Sequence, residues 1–87
     1  MGEYRLLIKA SARKELDGVS PKALRQRIVE RIQGLAENPR GQDSEKLAGY
    51  DDRFRVRQGK YRIVYLIDDD KREVTIFKVG HRKDVYR

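Results

Sequence analysis

The chain reads as an α+β domain: a small antiparallel sheet in the order β-α-α-β-β-β, with two N-terminal helices packed on one face. Two observations predict it. Leu24, Ile28, Ile32 and Leu35 recur at spacings of four, four and three, which lines one face of a helix. From Arg53 the period changes to two, and three strand-like runs follow, separated by the turn signals Gln58-Gly59 and Asp68 to Arg72.

Taken in order, Tyr4 to Lys9 is a short apolar run bounded by polar residues, which fits an opening strand. Ser11 offers a helix N-cap, Ala12 and Leu16 share a face, and Gly18 ends a helix of about two turns. Ser20-Pro21 opens the longer helix: Ser20 can accept from orphan N–H groups, and a proline in the first turn loses no bond it could have made. That helix ends before Asn38-Pro39, because the residue preceding a proline is pushed out of the helical region. Residues 40 to 52 carry no sustained period, and Gly41 and Gly49 mark a connecting loop that Leu47 and Tyr50 pin down. In the strand that follows, Phe54 and Val56 point one way while Arg53, Arg55 and Arg57 point the other. Tyr61 to Ile67 and Val74 to Val79 complete a meander. With the helices on one face, the other is left for function.

Eighty-seven residues make a single domain spanning 1–87. Its core must be thin, since a chain of this size buries only roughly 60–65% of its unfolded surface. There is no cysteine to staple it. The lack of a secretory leader and of any apolar run near ~18 residues predicts a soluble, cytoplasmic protein that does not enter the membrane. One histidine and no cysteine exclude the usual zinc sets, and Asp68-Asp69-Asp70 reads as a solvated hairpin without a second acidic cluster. No metal and no cofactor are expected. The sequence contains no GxxxxGK[ST], GxGxxG or GxSxG, so nucleotide hydrolysis and acyl transfer have no motif here.

Charge is where the chain becomes specific. Residues 53–87 hold eleven Lys/Arg against five Asp/Glu, which places +6 of the net +7 in the C-terminal part. A concentrated positive field of this kind attracts polyphosphate. In an extended RFRVR strand the three guanidiniums lie on one face about 7 Å apart, near the spacing of successive phosphates. A solvated strand face that resists edge pairing is the structural alternative. Arg62 on the next strand adds a fourth cation to the region; left unpaired, the four repel one another, which fits a group held ready for phosphate. His81, the only histidine, follows the last predicted strand beside Arg82. A lone histidine is more often structural than catalytic, but imidazole is the side chain that titrates near neutrality. Tyr86 can stack on a base or cover the core edge.

The segments LAGYDDRFRVRQGKYRIVYLID and VTIFKVGHRKDVYR resemble the RelE family of toxins in toxin–antitoxin pairs, and the similarity extends over essentially the whole chain. The resemblance is most specific in YRIVY and VGHRKDVY, whose order and separation combine two modest signals. It implies an endoribonuclease, an mRNA interferase that enters the ribosomal A site and cuts the bound mRNA without a metal through attack of the ribose 2′-OH on the adjacent phosphate. It also implies a cognate RelB-like antitoxin as partner. Matched position by position, Arg62 falls on the strand arginine after the hairpin, Arg82 on the arginine after the last strand and Tyr86 on the terminal tyrosine, while His81 occupies a position that varies among relatives and enters on its chemistry. The expected catalytic group is Arg62, His81, Arg82 and Tyr86, and the expected phosphate-binding group is Arg53 and Arg55 with Arg57 on the same face. Arg53 and Arg55 stand where family members can carry lysine, and an arginine does not release its proton, so neither serves as general base. His81 is the preferred acid–base residue, with Glu45 in the loop as the second candidate by analogy with relatives that use a loop glutamate. Two rivals remain: ParE toxins, which share the fold and inhibit DNA gyrase, and a non-catalytic RNA-binding module, which predicts salt-sensitive binding with intact RNA.

Overall fold

A computed structural model describes residues 3–50 and 52–81. The elements are β1 (Arg5–Ile8), α1 (Ala10–Asp17), α2 (Lys22–Leu35), β2 (Glu45–Lys46), β3 (Arg53–Gln58), β4 (Tyr61–Asp68) and β5 (Glu73–His81). They form one five-stranded sheet in the order β1-β5-β4-β3-β2. The α+β class and the β3-β4-β5 meander are as the sequence predicts. Two details refine it: β1 pairs in parallel with β5, because the helical crossover returns the chain to the far side of the meander, and a two-residue β2 pairs with β3. Two residues are too short to show a period, so β2 was invisible as a pattern.

Both helices lie on one face of the sheet. Ala12 and Leu16 of α1, Val19, and Ile28, Ile32 and Leu35 of α2 pack against Phe54, Val56, Ile63, Tyr65, Ile67, Val74, Ile76 and Val79. The stripe read from the sequence is therefore the core face of α2, with Leu24 partly buried at its start. Neither helix has a side-chain N-cap: Lys9 and Pro21 occupy those positions, and Leu24 and Arg25 donate to the Pro21 carbonyl at 3.0 and 3.2 Å. Gly59 turns β3 into β4 with φ +61, a conformation that suits glycine because it carries no Cβ.

Strand registry fixes which side chains share the open face. Arg53, Arg55 and Arg57 stand opposite Leu66, Val64 and Arg62, and Arg62 stands opposite Gly80. Between β4 and β5 the register shifts at Val64/Tyr65: Val64 pairs with Lys78 and Tyr65 with Ile76, leaving Phe77 as the extra residue of a β-bulge.

Candidate nucleic-acid interface

The alternation in RFRVR does what the period of two requires: Phe54 and Val56 enter the core, and the three arginines line the face away from the helices. Their surroundings, however, are unlike one another. Arg57 is exposed. Arg55 is only 9% exposed and Arg62 only 3%. Arg53 is half-buried, its guanidinium 4.3 Å from the centre of the Tyr50 ring and 4.8 Å from that of Phe77. The expectation of four unpaired, mutually repelling cations is corrected here. Arg55 is ion-paired with Glu45, which stands directly opposite it in the β2–β3 register, and Arg53 is held between aromatic rings.

The loop between α2 and β3 creates that ion pair. Tyr65, fully buried, donates its hydroxyl to the Pro39 carbonyl at 2.6 Å, and its ring stacks on Phe54 with centroids 6.0 Å apart. Burial pushes the Tyr65 phenol above its ordinary pKa. Ser44 donates through Oγ to the Gly41 carbonyl at 2.8 Å, and Arg31 pairs with Asp43, whose carboxyl that hydrogen bond holds below the usual carboxylate range. Leu47 N–H then donates to the Arg53 carbonyl at 2.9 Å. With both ends so fixed, Glu45 is brought to Arg55, and Asp43, Glu45, Arg55 and Arg57 line a cleft of about 320 Å³. Glu45, the second acid–base candidate, thus stands on the arginine face, a placement set by its pairing across β2 and β3.

His81 lies elsewhere. It is the last residue of β5 rather than a residue beyond the strand, and its ring meets Tyr61 edge-on at 5.7 Å. By alternation it shares the side of Ile63 and Val79, the helix side, while Arg62 and its partner Gly80 belong to the other. The structure thus brings Arg55, Arg57 and Arg62 together and sets His81 around the end of the sheet from them. Arg82 and Tyr86 lie outside the described residues. Tyr50, expected to anchor the loop, is instead 47% exposed, and Leu47 is the half-buried one. Among the described residues no group of three or more His, Asp or Glu side chains is gathered as metal ligands, and no helix is long and apolar enough to cross a membrane.

A two-helix cover on one face and an arginine-lined face on the other is the framework of a small toxin of the type II toxin–antitoxin class. A family model described as the ParE toxin of the type II toxin–antitoxin system matches residues 6–86, and the chain belongs to this RelE/ParE family. Toxin RelG of Mycobacterium tuberculosis is 32% identical over 87 residues, covering 97% of each chain. A chain of the archaeal RelE–RelB complex from Pyrococcus horikoshii superposes with a TM-score of 0.81 at 30% identity, covering 93% of this chain and 97% of that one. The isolated RelE toxin of E. coli gives a TM-score of 0.79 at 29% identity, over 95% of this chain and 90% of that one.

Proposed function

We propose that this toxin is a ribosome-dependent endoribonuclease that cuts mRNA in the A site, and that a RelB-like antitoxin is its cognate partner. The observation that carries the activity is the convergence of Arg55, Arg57 and Arg62 on one face, with Arg57 and Arg62 directly opposite each other. The resemblance to RelE toxins supplies the reaction. The ribose 2′-oxygen forms a bond to phosphorus as its proton leaves, the bond from phosphorus to the 5′-oxygen breaks, and that oxygen takes up a proton. The products are a cyclic phosphate and a free 5′-OH. Charge grows on the phosphoryl oxygens at the midpoint of this exchange, and a guanidinium already fixed in place stabilises it without reorganising, commonly by about 3–4 kcal/mol per well-placed donor.

Proton transfer is the harder part for a face rich in arginine. Glu45 is the acceptor that the geometry favours for the 2′-OH proton, because its carboxylate is held by Arg55 in the same cleft as Arg57. His81 is assigned to the leaving 5′-oxygen, with the mRNA passing around the sheet end from the Arg57–Arg62 pair to reach it. Arg82 is assigned to neutralise the phosphate and Tyr86 to stack on or orient the nucleotide. Gyrase inhibition is the second reading, favoured by the ParE description of the matching family model.

One experiment separates them. Purified toxin is added to a translating extract, new mRNA 5′ ends are mapped, and supercoiling by gyrase is measured in parallel. Codon-spaced, ribosome-dependent cuts are expected, and Glu45→Gln and His81→Ala are each expected to slow single-turnover cleavage while leaving ribosome binding intact. Intact mRNA with blocked supercoiling refutes the ribonuclease assignment.

A further inference from the structure

The loop and the bulge together build something the ribonuclease chemistry leaves unused. Phe77, the extra residue of β5, carries Lys9 on its ring at 4.3 Å and the Arg53 guanidinium at 4.8 Å, and Tyr50 covers the same guanidinium at 4.3 Å. The result is a ladder of alternating cation and ring that runs from the end of β1, across β5, to β3 and its preceding loop. Guanidinium and aromatic surfaces are flat and accept the face of another ring. At the outer end of the ladder, Tyr50 is 47% exposed.

We infer that this ladder is a nucleobase platform: Tyr50, backed by Arg53 and Phe77, stacks on one base of the single-stranded mRNA, and Lys9 and Arg53 meet the adjoining phosphates. The inference rests on the proposed RNA cleavage and assigns residues that bind rather than react. Two arguments select RNA as the occupant. Bases present π-faces on a polyanionic backbone, which matches rings interleaved with cations. Spacing agrees as well. Arg53 lies four residues before Arg57 on β3, so the platform sits roughly 13–14 Å along the strand from the Arg57–Arg62 pair, about two extended nucleotides away. A base held there would fix the register of the strand without touching the bond that breaks.

The test uses full-length toxin and ribosomes programmed with mRNA carrying 2-aminopurine at successive positions, with a 2′-deoxy sugar at the cleavage site to block reaction. Fluorescence should be quenched by wild type at one position a short distance from the cut, relieved by Tyr50→Leu, and retained by Tyr50→Phe. On cleavable mRNA, Tyr50→Leu should raise KM about tenfold with kcat little changed, in keeping with the loss of one stacked base. Phe77→Leu, which removes the ring beneath Arg53, should act in the same direction. Unchanged quenching and KM in Tyr50→Leu overturn the platform while leaving the nuclease standing. So does a Tyr50→Leu variant that loses only antitoxin binding. A wild type that neither cuts nor quenches refutes the nuclease and the platform together.

Discussion

Replacing Tyr65 by Phe deletes one oxygen from the middle of the fold and tests how the loop bearing Glu45 is held. The ring stays, so its packing on Phe54 is kept; what is lost is the 2.6 Å bond to the Pro39 carbonyl, with a buried acceptor left unsatisfied. Such a loss costs about 1–3 kcal/mol. Unfolding entropy is roughly 2.1 cal/mol/K per residue, so in a chain of 87 residues a cost of about 1.5 kcal/mol lowers Tm by about 8 °C. Urea denaturation at neutral pH should show a lower midpoint with an unchanged slope, since little surface is altered. A second observable follows from the phenol itself, whose pKa burial raises above 10.0. A group raised on folding stabilises fully below its unfolded pKa, and that contribution is lost as pH rises through the folded value. The gap between wild type and Tyr65→Phe should therefore narrow above pH 10, because only the wild type has this phenol to ionise. Equal midpoints at pH 7, or a gap that persists unchanged under alkali, would refute the role given to this hydroxyl.

Two further substitutions probe the frame around the site. Ile28 is 0% exposed at the centre of the α2 stripe, so Ile28→Ala should cost about 2–5 kcal/mol in urea denaturation, a large part of the stability of a small domain; a cost below about 1 kcal/mol would contradict its place in the core. Asp69 accepts from Arg40 at 3.1 and 2.8 Å and from the Tyr4 hydroxyl at 2.7 Å, and these bonds, Arg40 foremost, hold its carboxyl below the usual range. A depressed carboxyl stabilises above its unfolded pKa and ceases to as pH falls through the folded value, so Asp69→Asn should flatten the acid limb of a stability–pH curve; an acid limb identical to wild type would show that the cluster does not contribute.

The elements with long or repeated patterns were legible in the sequence, and the reasons are local. α2 declares itself through four apolar residues on one stripe, and β3 through strict alternation. What the sequence could not show depends on pairing between distant segments. The position of β1 beside β5 follows from the path of the crossover, β2 exists only because Glu45 and Lys46 meet β3, and the bulge that leaves Phe77 unpaired is a property of two strands together. The same distinction runs through the site. Alternation placed Arg53, Arg55 and Arg57 on one face correctly, but a residue's partner is not a local property: Glu45 lies ten residues from Arg55, and Tyr50 and Phe77 flank Arg53 from opposite sides of it in sequence. The side taken by His81 is likewise set by pairing, through its place opposite Tyr61, and not by its neighbours in sequence.

Net charge predicts attraction to RNA, yet it treats every arginine alike, and the fold does not. Arg62, 3% exposed, and Arg55, tied to Glu45, have given up their freedom before any substrate arrives, whereas Arg57 remains in solvent. For phosphoryl chemistry the two conditions serve different steps. An exposed cation contributes to the long-range field that speeds encounter, and that contribution is weakened by salt across a Debye length of about 8 Å at physiological ionic strength. A buried, fixed guanidinium is screened far less and acts where charge develops. On the ribonuclease assignment, Arg55 and Arg62 are thus built to stabilise a reacting phosphate, and Arg57 to bring it in. The partition also explains why so much of a thin core's surroundings is given to the loop at residues 38–46: without Pro39, Asp43 and Ser44 holding it down, Arg55 would have no counter-charge, and a buried arginine without one is costly to keep in place.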